Sequence, residues 1–294
     1  MNVVPLNAVI VGLDRSDPGR AAVEYAADLA NRRHLPLRLL HAFEPSQYAD
    51  RTTIGWREDV VALRRNSAQR LVDDTLEVLG ILYPDLDVSA ALHFGSATDM
   101  LIKASKDAHT VVLGSRGAGG FADLVIGSTT LHVTAHAKCP VIAVPGPPYA
   151  AVPRHGVVVG VDGSQLSEAA IGYAFEAASD VGEKLTAVHA WYDPAHTGVG
   201  VMMPLGYDPT MAAREERLVM AESMAGWQEK FPDVEVEHLV VLGHPVPSLV
   251  SRATHARLLV VGSRGRSAVH SLVLGSVSHG VLHHATGPVA VVRT

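Results

Sequence analysis

The stretch VVLGSRGAGGFADLVIGST (residues 111–129) is answered later in the chain by LVVGSRGRSAVHSLVLGSV (residues 259–277). Each copy reads as an apolar strand, a glycine loop, nine further residues and then Gly-Ser. Two copies of so unusual a pattern ask whether the whole chain is duplicated. Placing Gly114 on Gly262 sets an offset of 148 residues, and that offset brings many other positions into register. Gly12, Asp14 and Ser16 fall on Gly160, Asp162 and Ser164. Tyr25 falls on Tyr173, His41-Ala42 on His189-Ala190, Gly95 on Gly243, His136 on His284, and Pro140-Val141 on Pro288-Val289. One offset held along the whole chain means two homologous halves. Residues 1–146 are expected to form one domain and 156–294 the other. The Pro- and Gly-rich residues 147–155 between them read as a linker.

Within a half, strands and helices alternate. NAVIVGL is a short β-branched run of the kind buried in a sheet. Ser16-Asp17-Pro18 supplies a helix cap with proline in the first turn, and AAVEYAADLANRR repeats apolar residues at helical spacing. LPLRLLHAF is a second strand, residues 56–82 a long helix, and DVSAALHF a third strand. Ser96-Ala97-Thr98-Asp99 opens a third helix with a capping-box pattern. TVVLG, residues 127–136 and CPVIAVP complete the half as strand, helix and strand, and the second half repeats the order. Alternation of this kind requires parallel strands and right-handed crossovers. The fold class is α/β: two doubly wound, five-stranded parallel-sheet (Rossmann-like) domains in tandem. The fifth strands, apolar and last in each half, are expected at sheet edges.

Composition narrows the function classes. The chain has 294 residues, 48% hydrophobic and 18% charged, which is a folded profile. Its formal charge of −6 gives no electrostatic case for binding nucleic acid or an anionic membrane. Cys139 is the one cysteine, so no internal disulfide is available, which suits a reducing compartment. No apolar run is long enough to span a bilayer, and the N-terminus lacks a signal-peptide pattern, so a cytoplasmic protein is expected.

Ligands of doubly wound sheets bind beyond the carboxyl ends of the strands. Strand one ends at Gly12-Leu13-Asp14, and strand four runs into Gly114-Ser115-Arg116-Gly117. If the two strands are neighbours, Asp14 faces the glycine loop. Glycines with freedom at positive φ would let backbone N–H groups turn inward around an anion. Gly127-Ser128-Thr129 then opens a helix whose N–H groups and dipole favour a phosphate. Arg116 and Arg264 either clamp phosphates or are solvated loop arginines.

On these motifs both halves resemble universal stress protein domains, over nearly the whole chain. The spacing G-x2-G-x9-G-[ST] is the mark of that family's ATP-binding branch. It is met by Gly114, Gly117, Gly127 and Ser128, and again by Gly262, Gly265, Gly275 and Ser276. The resemblance implies one ATP per half, with or without Mg, and a regulatory role exercised through a partner the sequence does not name. It also implies that the halves pair at their fifth strands as a pseudo-dimer, and a homodimer of chains is then expected through what remains exposed. It implies that the loop wraps phosphates and ribose: Ser115, Ala118, Gly119, Gly120 and Thr129 in the first half, and Ser263, Arg266, Ser267, Ala268 and Val277 in the second. It also implies that Asp14 and Asp162 lie by the adenosine, and Phe43 and Trp191 near the base. The second loop departs from the pattern, having Ser267 and Ala268 where the first has Gly119 and Gly120. The second site is therefore expected to be the weaker of two.

Catalytic motifs are missing. No lysine completes a Walker loop, GLDRSD replaces the dinucleotide fingerprint after strand one, and no G-x-S-x-G elbow exists. No catalytic residue and no enzymatic activity are expected; a slow ATPase or nucleotide-dependent enzyme on the same fold is the alternative, and an interaction module with purely structural glycine loops is the third reading. His132 and His136, and His279 and His283, lie at helical spacing but do not superpose at the offset of 148 residues, so no metal site is expected. Cys139 reads as a small buried hydrophobe.

Overall fold

Val9, Ile10 and Val11 expose no surface, and a β-branched run covered on both faces makes the middle strand of a parallel sheet. The computed structural model describes residues 7–43, 58–117, 126–146, 153–192, 208–265 and 274–293. The chain divides into two units, Met1–Ala151 and Val152–Thr294.

In the first unit, β1 (Ala8–Gly12) pairs in parallel with β2 (Leu37–Phe43) and with β4 (Ala108–Gly114). Outside these lie β3 (Val88–Phe94) and β5 (Val141–Val144), both also parallel. The order is β3-β2-β1-β4-β5. The helices between them are α1 (Asp17–Arg33), α2 (Glu58–Leu82), α3 (Ala97–Ala104) and α4 (Ser128–His136). The chain winds outward from β1 through α1 and α2, then returns to β4 and winds the other way. With right-handed crossovers, α1 and α2 lie on one face and α3 and α4 on the other. The winding reverses between β1 and β4, and a crevice opens there at the carboxyl ends of the strands. Ile10, Leu40, Leu101, Val111, Leu113, Val133 and Val141 pack together beneath it. Cys139 belongs to the same cluster, and burial pushes its thiol up to about 12.

Local signals account for the helix starts. The Ser16 side chain accepts from the Gly19 N–H at the start of α1, and Ser96 accepts from the Asp99 N–H at the start of α3. Both helices begin where the capping residues predict. One boundary moves: Gly127 precedes α4 rather than opening it.

The second unit contains β6 (Val157–Gly160), α5 (Glu168–Val181), β7 (Leu185–Trp191), α6 (Pro209–Met224) and α7 (Trp227–Lys230). It continues with β8 (Val236–Leu242), α8 (Pro245–Arg252), β9 (Leu258–Gly262), α9 (Ser276–His284) and β10 (Val289–Val292). Its order, β8-β7-β6-β9-β10, repeats that of the first unit, and its crevice lies between β6 and β9.

Two departures from a simple repeat have local causes. Leu166 stands where the first half has Pro18, and Gln165–Ser167 form a 3-10 turn before α5 begins. Gly226, at φ 75°, separates α6 from α7, whereas α2 runs on unbroken through the matching positions. The short α7 sets Trp227 against Phe175, with ring centroids 5.8 Å apart, and Phe231 follows at 5.5 Å from Phe175.

Two candidate nucleotide clefts

Each crevice is a cleft. The first, about 320 Å3, is lined by Gly12, Leu13 and Asp14 from β1 and its loop, and by Leu40, His41 and Ala42 from β2. Gly114, Arg116 and Gly117 after β4, and Gly127, Ser128, Thr129 and Thr130 at the start of α4, complete its polar side. The second, about 280 Å3, has Gly160, Asp162, His189 and Ala190 on one side and Gly262, Arg264, Gly265, Gly275, Ser276, Val277 and Ser278 on the other. Small-molecule sites begin at about this size.

Backbone geometry aims donors at each cleft. The Ser115 N–H donates to Val144 O at 2.7 Å, and the Gly127 N–H donates to Ser115 O at 2.7 Å. These bonds fold the loop after β4 back beside the start of α4. The second unit repeats them, Ser263 N–H to Val292 O and Gly275 N–H to Ser263 O, both at 2.7 Å. Glycine before α4 and before α9 has no side chain to cap the helix, and neither helix start receives a side-chain cap bond. The first-turn N–H groups of α4 and α9 therefore open on the clefts without the hydroxyl that caps α1 and α3.

Asp14 is oriented by its own turn. The Ser16 N–H donates to Asp14 Oδ1 at 3.0 Å, and Ser16 Oγ lies 2.6 Å from the same oxygen and 3.1 Å from Arg116 O. In the second unit Ser164 N–H and Oγ donate to Asp162 Oδ1 at 2.9 and 2.7 Å. These are Asx turns, in which a side chain stands in for a backbone acceptor.

The reason for the loop glycines needs correcting. Among the described residues Gly114, Gly117 and Gly127, and Gly262, Gly265 and Gly275, are not at positive φ. Space, not dihedral freedom, accounts for three of them. A Cβ on Gly114 would lie 2.6 Å from the Pro18 carbonyl carbon. On Gly117 it would stand 3.0 Å from Asp14 Oδ2, and on Gly265 2.5 Å from Asp162 Oδ2.

The expected residues divide as follows. Gly12, Asp14, Gly114, Arg116, Gly117, Gly127, Ser128 and Thr129 come together in the first cleft. Gly160, Asp162, Gly262, Arg264, Gly265, Gly275, Ser276 and Val277 come together in the second. Ser115 and Ser263 stand behind the lining, holding the loop by their backbone. Ala118, Gly119 and Gly120, with Arg266, Ser267 and Ala268, lie outside the described residues.

Phe43 and Trp191 do not line the clefts. Phe43 packs edge-on against Phe94 at 5.6 Å, and the end of the second strand is presented instead by His41-Ala42 and His189-Ala190. The repeat offset already marked those pairs, but as register and not as lining. His41 Nδ1 lies 2.7 Å from Leu13 O, and His189 Nδ1 lies 2.7 Å from Val161 O. A carbonyl only accepts, so Nδ1 carries a hydrogen in both rings. Met100 and Leu101 of α3, and Pro245 and Leu249 of α8, add an apolar wall; nothing in their spacing distinguished them from core.

Among the described residues no three His, Cys, Asp or Glu side chains gather at metal-binding spacing, and no helix is long and apolar enough to cross a membrane.

Each unit sets an uncapped helix start across its switch point from an acidic turn, and together the units define a tandem α/β protein. The universal stress protein family model matches residues 6–145 and again 154–293, and the chain belongs to that family. It is 38% identical to a universal stress protein of Mycolicibacterium smegmatis, covering 97% of this chain and 96% of that protein. It is 36% identical to universal stress protein Rv2005c of Mycobacterium tuberculosis, covering 98% and 97%. The crystal structure of a universal stress protein from Archaeoglobus fulgidus shares the fold, with a TM-score of 0.68 and 21% identity over 98% of this chain and 96% of that one.

Proposed function

We propose that the chain is an ATP-binding regulatory protein that holds one nucleotide in each half. The observation that carries this reading is the uncapped start of α4 and of α9, each facing a glycine loop where a side chain would crowd its neighbours. Free N–H groups at a helix start stabilise an anion by roughly 0.3–1 kcal/mol when exposed and up to about 2 when partly buried. A triphosphate would engage several at once. Gly117 or Gly265 with Ser128 or Ser276 would take the phosphates, and the turn of Asp14 or Asp162 would face the sugar. Each described lining holds one carboxylate, that same aspartate, so Mg2+ would enter on the phosphates instead of being held in advance.

Binding without turnover is the better reading. Neither described lining contains a lysine, and the one carboxylate in each is engaged by its own serine. Each described lining supplies an arginine and helix N–H groups for binding, but no lysine and no second carboxylate to orient an attacking water. The test is direct: heat the purified, never-denatured chain and resolve the supernatant by ion exchange. Adenine nucleotide at one to two equivalents per chain is expected; none there, and none bound on titration, would overturn the reading.

A further inference from the structure

Both halves fold the loop after the fourth strand with the same pair of backbone bonds, and they differ at a hydroxyl. Ser16 Oγ accepts from the Gly19 N–H at 3.0 Å, which caps α1. The same Oγ lies 2.6 Å from Asp14 Oδ1 and 3.1 Å from Arg116 O. Its single hydrogen is shared between carboxylate and carbonyl in a three-centre bond. One atom thereby ties the start of α1, the acidic turn and the loop after β4.

Ser164, at the matching position, makes only the turn. Its Oγ donates to Asp162 Oδ1 at 2.7 Å and receives no cap bond. Among the described residues it makes no bond to Arg264 O. The cause is local. α1 begins at Asp17 with Pro18 in its first turn, which holds the hydroxyl under the Gly19 N–H. In the second half Gly163, at φ 76°, precedes Ser164, a 3-10 turn follows, and α5 begins only at Glu168. The Arg264 carbonyl turns elsewhere, 3.2 Å from where a Cβ on Gly262 would stand. The atoms nearest to a Cβ on Gly114 belong instead to Pro18 and Gly19, in the first turn of α1.

We propose that Ser16 is a positioning residue that sets the glycine loop of the first cleft before a ligand arrives, and that the second loop, lacking this bond, is set by the ligand itself. This rests on the nucleotide-binding reading. Ser16 is not in the described lining; it acts through Arg116 and Gly117, which are. A loop ordered in advance loses less affinity to ordering.

The loop is read first without ligand. Trypsin cuts after arginine and lysine, so the bonds Arg116–Gly117 and Arg264–Gly265 report how readily each loop opens in the nucleotide-free full chain. Glycine is tolerated at a helix N-cap, so Ser16→Gly removes the bond to Arg116 O with little harm to α1. It is expected to speed cleavage after Arg116 about three- to tenfold, the size of one neutral hydrogen bond. Cleavage after Lys103, on α3 of the same unit, should not change, as it would if the unit were merely destabilised. Ser16→Thr, which keeps the hydroxyl, should retain the slow rate, and Ser164→Gly should leave cleavage after Arg264 as it was. ATP is then titrated into the chain carrying Gly265→Glu, which closes the second cleft. Adding Ser16→Gly should weaken binding about three- to tenfold, and adding Ser16→Thr should not. Unchanged cleavage after Arg116, equal acceleration by the two serine variants in their own loops, or acceleration without loss of ATP affinity overturns the proposal and leaves nucleotide binding standing. A chain that binds no ATP before Ser16 is changed overturns the nucleotide-binding reading as well.

Discussion

The two halves share a sheet order, an acidic turn and an uncapped helix start, yet they solve the surroundings of the phosphate loop differently. In the second, β10 leads into Arg293, where the first half has Pro145 after β5. Burial, and then the charge of Arg264, lower the pKa of Arg293. On the nucleotide-binding reading proposed above, a phosphate arriving at Arg264 would relieve that repulsion. The loop sequence argued that the second cleft is weaker, because Ser267 and Ala268 replace glycines. On the same reading the arginine pair would act in the opposite direction. Duplication preserved the backbone donors and let the neighbouring charges diverge.

The largest effect should come from filling the loop. Gly117→Glu sets a Cβ against Asp14 and a second carboxylate facing the phosphates, and Gly265→Glu does the same more tightly against Asp162. Each should lower ATP affinity in its own half at least about tenfold, about 1.4 kcal/mol, with the other half unchanged. A calorimetric titration reads this as loss of one of two equivalents. Retention of both, with the fold intact by circular dichroism, would show that the loops do not contact nucleotide.

A smaller effect would sharpen the contrast in charge. Arg293→Ala should weaken triphosphate binding in the second half about three- to fivefold, within the range of a partly screened charge contact. It should also flatten the salt dependence there and leave the first half untouched. If affinity in the second half rises instead, the arginine pair is a strain and not an aid.

The smallest effect concerns stability. His34 ends α1 at φ 51° and Gly182 ends α5 at φ 62°, and these are matching positions of the repeat. Both N–H groups close the last turn, His34 onto Ala30 O and Asn31 O, Gly182 onto Ala178 O and Ser179 O. A left-handed conformation costs a residue with a Cβ roughly 1–2 kcal/mol, part of which glycine returns through unfolded-state entropy. His34→Gly should therefore stabilise the first half by about 0.5–1 kcal/mol, and Gly182→Ala should destabilise the second by about as much. Denaturation midpoints moving the same way for both would break the comparison.

The fold was legible because its signals are local or periodic. Ser16 and Ser96 cap helices that begin where they predict, and the β-branched run of residues 8–12 is the buried central strand. The repeat offset carried that reading into the second half. It failed where one residue overrides a period: Gly226 breaks a helix, and Leu166 in place of proline leaves a 3-10 turn. That the glycine loop and the Gly-Ser start would gather at one cleft was legible as well, since their spacing is written in the chain. The bond from Ser16 to Arg116 O was not, because it joins residues 100 apart, before α1 and after β4. Nor could spacing tell that a side chain at Gly117 would crowd the carboxylate of Asp14.

Cys139, packed under the first cleft, has a further consequence. A thiol that titrates near 12 is ionised in about one molecule in 10^5 at neutral pH, and peroxides and disulfides react with the thiolate. The chain has no other cysteine. Burial thus makes Cys139 a poor target for thiol oxidation and leaves it the part of a small apolar side chain under the first cleft.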